Sequence, residues 1–444
     1  MHVNSCTLML QRRHAIGLVA AAMLTASALV PASAQDVVEL TVMSHPNFSP
    51  SAGNPDVADA YRRAWDEFLA ANPDVRLREE PHSGSTEALQ DVLTRGNAGR
   101  LSDMGVMDTF WVSRLHADGY LQPLDDVLSE EDEADFIPGV LEATTYDGHL
   151  RAIYMYNPWR GLFYRPSVVN ALGYDAPPTE WNAFLEFGRA ALAAGHENAV
   201  MLPALGASEL TMQYLYTQYL GLGGTIHDDQ GRPNFQEPGN RELLEQVYGM
   251  WRQLVEDGLM PAQVGSMDEA AIRPFFYSGE TVLLGHSTSS IRQMYTDMPP
   301  LEGDLNVSAM PMPEGLAPIP LLASWSYVIF TEDPAKTDAA SRFIRHMLSP
   351  EVLGELNAAQ GHLPMRTSIW ENNPNFADSE LMQRLYTIMN DPRIQERSTF
   401  PIYPAIKDAI TNQMADVIAG NITPAEAVDR AAEEAMSVYE RMGS

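Results

Sequence analysis

Histidines, carboxylates and nucleophiles are the side chains that could make this chain an enzyme, and their spacing gives catalysis little support. The 11 histidines include no HExxH or HxH pair, the spacings that set two imidazoles on one metal ion. No G-x-S-x-G turn exposes a serine. The one cysteine, Cys6, lies within an N-terminal segment that reads as a leader. With 59 acidic residues, carboxylate pairs can be drawn almost anywhere, so no pair argues by itself for glycoside hydrolysis. What remains is binding chemistry. Asp108 and Trp111 follow an apolar stretch at 104–107, His45 and Asn47 follow a β-branched and apolar stretch at 37–43, and Ser83 to Ser85 follow an alternating one at 75–78. If these stretches are strands of an open α/β sheet, such residues stand at the carboxyl ends, where ligands bind. Each also has a plainer reading. Asp108 is placed to cap the next helix, and the loop side chains can simply satisfy turns.

The elements that would position them follow from periodicity. Val37 to Met43 mixes β-branched and apolar residues like a strand. Val57 to Ala71 carries Tyr61, Trp65, Phe68 and Leu69 on one helical stripe, and Asn72-Pro73-Asp74 stops it. Val75 to Arg78 alternates, Glu87 to Thr94 is helical, and Met104 to Met107 is a short buried strand. Strand and helix in alternation indicate right-handed parallel units and an α/β fold. Thr179 is the expected N-cap of a helix beginning near Trp181. Trp65, Trp181 and Trp251 fall on helical stripes and are expected in the core. Proline and glycine cluster at 299–320, a candidate crossing between domains.

Composition narrows the class. The first 34 residues combine a basic Arg12-Arg13-His14, an apolar run from Ala15 to Val30, and Ala32-Ser33-Ala34 before Gln35. That is the pattern of a cleaved export signal, too short to anchor. The expected mature protein starts near Gln35 without cysteine, so neither a disulfide nor a lipid at the cleavage point is expected. A formal net charge of −31 repels phosphate backbones and anionic lipid heads, which argues against nucleic-acid or membrane-surface partners.

A series of short phrases then recurs along the chain: Gly119 to Leu124, Tyr146-Asp147-Gly148 with Leu162 to Arg165, and Pro177 to Trp181. Gly223-Gly224 with His227 to Gly231, Phe276 to Glu280, Met310 to Pro313, and Gly361 to Arg366 follow in order. In type and order they resemble the bacterial extracellular solute-binding proteins (family 1, maltose-binding-protein-like) that feed sugar ABC importers. The resemblance implies a two-lobed type II periplasmic-binding-protein fold. Each lobe would be a mostly parallel sheet flanked by helices, joined by a multi-strand hinge. It divides the chain into 35–155 with 310–362 and 156–309 with 363–444, with crossings near 154–160, 305–313 and 362–367. The chain departs from the family's pattern after Gly285, where His286-Ser287-Thr288-Ser289 stands in place of a tryptophan.

The implied ligand is a sugar or polyol held without catalysis or cofactor. The alternatives are a non-sugar solute (glycerol phosphate, polyamine or organic acid) or an exported hydrolase. Sugars show apolar C–H faces and alternating hydroxyls, so their sites pair aromatic platforms with polar groups. Trp325 lies where the family often contacts ligand, and its small neighbours in Ala323-Ser324-Trp325-Ser326 suggest an open surface. Trp159 and Arg160 fall in the first implied crossing, as clamp or as hinge packing. Tyr403, between Pro401 and Pro404, is an aromatic the second lobe could supply. Arg366 could reach ligand or serve a structural ion pair, and Glu209 aligns with a cleft-facing acidic position of the family but reads rather as an exposed helix-start glutamate. The implied partners are a two-subunit permease and its ATPases, met by a periplasmic monomer.

Overall fold

The computed structural model describes residues 37–442 except Ser83; the expected export signal and Ser83 lie outside the described residues. The chain enters through β1 (Val38–Ser44), β2 (Val75–Pro81) and β3 (Met104–Asp108), forms a hairpin of β4 (Thr145–Tyr146) and β5 (His149–Leu150), and adds β6 (Ile153–Tyr154). It then builds β7 (Arg160–Tyr164), β8 (Asn198–Met201), β9 (Thr281–Ser287) and β10 (Asn306–Ser308). It returns through β11 (Leu321–Leu322) and β12 (Trp325–Ile329), and β13 (Gln395–Glu396) follows near the end.

Two sheets result. The first has the order β2-β1-β3-β12-β6, and the second β10-β7-β9-β8. β1 is parallel to β2 and β3, whereas the returning β12 is antiparallel to β3. In the second sheet β8 and β9 are parallel, and β7 is antiparallel to both its neighbours. β7 runs this way because it enters directly from the first lobe rather than from a crossover helix.

Alternation along the first sheet sorts its side chains between two faces. Leu40, Val42, Val106, Tyr327 and Ile329 join the main core, while Met43, Met107 and Val328 meet Val92, Leu115 and Phe330 on the opposite face. The helix Pro55–Ala71 covers the first face. Asn54 caps it by accepting from the Asp56 amide, and Tyr61, Trp65 and Phe68 are buried. Trp65 and Phe68 both meet Phe343 edge-on. The helix at Trp181–Ala193 has Glu180, not Thr179, at its N-cap, without a side-chain cap bond. The Thr179 carbonyl instead accepts from the Met312 amide at 2.9 Å, part of an isolated parallel bridge between Glu180 and Met312. Trp251 is fully buried, whereas Trp181 is only half-buried.

The hinge is tied by Asn157, which is wholly buried. Its amide NH₂ donates to the Leu321 carbonyl at 2.8 Å, its Oδ1 accepts from Ala323 N–H at 2.9 Å, and its backbone N–H donates to Leu363 O at 3.0 Å. One residue, through its side chain and its backbone, thus joins three connecting segments. The returning segment runs from the end of β10 at Ser308 to the start of β12 at Trp325, longer than the 305–313 expected. Residues 365–368 bond to first-lobe residues 135–137 through Ile137 N–H, Thr367 N–H and the Asp135 carboxylate. The chain just past the expected divide at 363 thus contacts the first lobe.

Candidate functional site

The two sheets aim their strand ends at one another. β1 ends at Ser44, β2 at Pro81 and β3 at Asp108, so His45, His82 and Asp108 share one rim. β12 runs the other way and begins there, with Trp325 directly opposite Asp108 in register. This is the carboxyl-end location expected for a ligand site. From the second lobe, the residues after β9 come forward as Ser289, Arg292 and Gln293.

Between them lies a cavity of ≈ 370 Å³, walled on the first-lobe side by His45, Asn47, Phe48, Trp325, Gln360 and His362. The half-buried Trp325 ring lies 4.3 Å from the His45 ring, 5.7 Å from Phe48 and 5.7 Å from His82, centre to centre. Behind them Tyr156 and His362 stack at 3.7 Å, with their planes 6° apart. The volume is at the low end of the range for small-molecule sites, about 300–1,000 Å³.

Burial keeps these imidazoles neutral. It lowers His362 to about 3 and His82 below its ordinary value. His45 falls to about 4, chiefly through burial and then through His82, with Asp108 opposing. A neutral imidazole carries one donor and one acceptor nitrogen. His45 Nδ1 accepts from the Asn47 amide at 3.1 Å, and the His82 nitrogens face the Gly84 and Val106 carbonyls at 3.1 and 3.3 Å, so His45 Nε2–H and the His362 ring are the positions left for a hydroxyl. The same shift predicts a pH effect. Above about pH 6.5, His362 is neutral folded or unfolded and contributes nothing to the pH slope. From there down towards pH 3, the unfolded chain takes up a proton that the folded chain refuses, so stability falls with pH. His362→Phe keeps a ring against Tyr156 and removes that term. The Tm of the wild-type protein is therefore expected to fall more than that of His362→Phe between pH 7 and 5. Parallel curves would show that His362 is not held neutral.

Asp108 and Tyr403 belong to an ionic network beside the cavity. Arg397 donates to Asp108 Oδ1 at 2.7 Å and to Glu209 Oε1 at 3.3 Å, and its guanidinium lies 5.0 Å from the Phe110 ring centre. Tyr403 O–H donates to Glu209 at 3.1 Å. Asp108 also accepts from Ser85 O–H at 2.7 Å and caps Phe110 N–H at 3.0 Å, while Trp111 Nε1–H donates to Ser85 Oγ at 2.8 Å. The neighbouring Glu396 is raised to about 8, mainly by burial. Burial thus favours its protonated form, and the carboxylates paired with the arginine are those of Asp108 and Glu209. Asp108 ends β3 in the first lobe and Glu209 starts the helix Glu209–Gly221 after β8 in the second, so Arg397 bridges the lobes.

Three expected contacts are used otherwise. Trp159 is only 6% exposed. Its ring fills the space over Gly161, where a Cβ would come within 2.0 Å of it. Trp159 is hinge packing, not an open platform. Arg160 donates to Glu269 Oε1 at 3.0 Å and to Gln213 Oε1 at 2.7 Å, and Tyr214 O–H meets the same Glu269. Arg366, 5% exposed, donates to Asp135 at 2.6 Å, Asp132 at 2.7 Å and Leu348 O at 2.9 Å. It is a structural ion pair away from the cavity.

Of the residues expected from sequence, the cavity thus gathers His45, Asn47 and Trp325, and the adjoining network gathers Asp108, Trp111 and Tyr403. Phe48, Tyr156, His82, Arg292, His362 and Arg397 escaped the sequence reading. His362 stands inside the phrase Gly361 to Arg366, which was its one available signal. Among the described residues no cluster of His, Cys, Asp and Glu is placed to hold a metal ion, and no helix is long and apolar enough to cross a membrane.

The family model for bacterial extracellular solute-binding proteins matches residues 54–353. The chain belongs to that family. A protein of Brucella abortus (strain 2308) named as a binding protein is 22% identical to this solute-binding protein over 386 residues, 84% of this chain and 88% of that one. The sugar-binding protein MalE of Xanthomonas citri superposes with a TM-score of 0.77 at 21% identity, covering 91% of this chain and 98% of its own. An ABC transporter solute-binding protein of Agrobacterium radiobacter K84, solved with ribitol, gives 0.67 at 21% identity over 91% and 99%. The fold is accordingly the type II periplasmic-binding-protein fold. The family and these neighbours are binding proteins rather than enzymes.

Proposed function

We propose that this solute-binding protein is the sugar- or polyol-binding subunit of an ABC importer, exported to the periplasm and delivering its ligand intact to a membrane permease. The observation that carries the reading is the cavity between the lobes. It offers an indole platform, Trp325, with neutral imidazoles and amides around it. That set matches a molecule with an apolar face and a hydroxylated edge. Sugar and ribitol binding in structurally similar proteins supports the same class. Because the cavity has walls from both lobes, a ligand touching both favours closure by its differential contacts.

A thermal-shift screen of residues 35–444 against sugars, polyols, polyamines and organic acids tests this. A ligand at about 100 times its Kd stabilises the folded state by about 2.7 kcal/mol, and a sugar or polyol is expected to give such a shift. Stabilisation by polyamines alone would overturn the ligand class.

A further inference from the structure

The charge around the cavity is unlike that of the chain. The sequence carries 59 acidic residues against 28 basic ones, yet no aspartate or glutamate lines the cavity among the described residues. The charged side chain that does line it is Arg292, and its guanidinium makes no ion pair or hydrogen bond among the described residues. Its position is defined from across the cleft. A Cβ on Gly361, in the first lobe, would lie 3.1 Å from Arg292 Cγ, so the arginine stem rests on the opposite lobe beside the opening. Asp108, at the neighbouring strand end, is already bound by Arg397, Ser85 and the Phe110 amide. Arg160 and Arg366 are likewise committed to carboxylates of the protein.

The remaining polar groups fit the same kind of ligand. Gln293, Gln360 and Asn47 supply amides, and Gln360 holds the Asn47 carbonyl at 2.5 Å. His362, only 8% exposed, presents an Nδ1 that has no partner. A buried ring nitrogen without a partner is costly unless a ligand group meets it. One free guanidinium beside planar amides suits a carboxylate, which it can bind through two parallel hydrogen bonds. A dianionic phosphate would call for more cationic donors than this wall offers.

Resting on the sugar-binding reading above, we propose that the preferred ligand is a small carboxylated carbohydrate, a uronic or aldonic acid of one or two units. Its ring or carbon chain lies on Trp325 and its carboxylate meets Arg292. Closure of the second lobe brings the guanidinium to the acid, so Arg292 sets specificity rather than ring recognition.

Calorimetric titration of residues 35–444 tests this with D-glucuronate, D-galacturonate and D-gluconate. The matched probes are D-glucose, D-galactose and D-glucitol, with glucose 6-phosphate, sn-glycerol 3-phosphate and glucosamine alongside. At least one acid is expected to bind about 10- to 100-fold tighter than its neutral counterpart, the range for a charge-assisted contact. Arg292→Gln should collapse that ratio to within about threefold, while Arg292→Lys restores part of it. Equal binding of acid and parent, tighter binding of the parent, of glucosamine or of the phosphates, or a ratio unmoved in a folded Arg292→Gln variant would each overturn the carboxylate assignment while leaving carbohydrate binding intact. Binding of none of these, nor of any sugar, sugar acid or polyol in the wider screen, would overturn both.

Discussion

Arg397→Ala is expected to lower folding stability by about 3 kcal/mol, near the lower end for breaking a buried ion pair. The arginine side chain is 9% exposed, and it faces Asp108 and Glu209 at 17% and 29%. Removing it leaves two partly buried carboxylates without their common cation. The loss is not larger because both acids keep other donors: Ser85 and the Phe110 amide for Asp108, Tyr403 and Gln213 for Glu209. Replacing the set together, as Arg397→Met with Asp108→Asn and Glu209→Gln, should recover much of the stability, because no buried charge is then left alone. Urea unfolding of the two variants checks this. A single variant within about 1 kcal/mol of the wild-type protein would mean that the interlobe network does not persist in solution.

Trp325→Ala should weaken ligand binding by about 1–3 kcal/mol, or roughly 5- to 150-fold, the scale of lost aromatic stacking. The ring is half-buried and starts an interior strand, so the backbone pairing of β12 with β3 and β6 survives its removal. Trp325→Phe keeps a smaller platform and should fall between. Titration with the tightest carbohydrate of the screen, on variants whose unfolding midpoints are measured in parallel, separates the contact from a folding defect. An affinity unchanged within about twofold in a folded alanine variant would take Trp325 out of the site.

The parts of the fold legible in the sequence were those written in local periodicity. The stripe Tyr61, Trp65, Phe68 and the β-branched and apolar strands at 37–43 and 104–107 needed no tertiary information. They fixed where loops would follow strands, and so led to His45 and Asp108. Distinguishing Trp325 from Trp159 was harder. Both are tryptophans among polar or small neighbours, and what separates them is the missing Cβ of Gly161, over which Trp159 lies. Arg160 and Arg366 were plausible ligand contacts because a sequence does not show that Glu269, Asp132 and Asp135 will reach them. Arg397 was invisible for the opposite reason. It sits in Gln395-Glu396-Arg397-Ser398 without a pattern, and its importance arises from pairing β13 with β11 across more than seventy residues. Arg292 gains its place only when the second lobe meets Gly361.

The central claim is that one carbohydrate molecule is captured in the cleft and released unchanged. Its most direct test is a calorimetric titration of residues 35–444 with the best carbohydrate of the screen, followed by recovery and chemical analysis of that ligand. Saturable binding of one molecule per chain is expected, with a Kd around the micromolar range (about −8 kcal/mol) and the ligand recovered intact. Consumption of the ligand, or no saturable binding of any sugar, sugar acid or polyol, would contradict it.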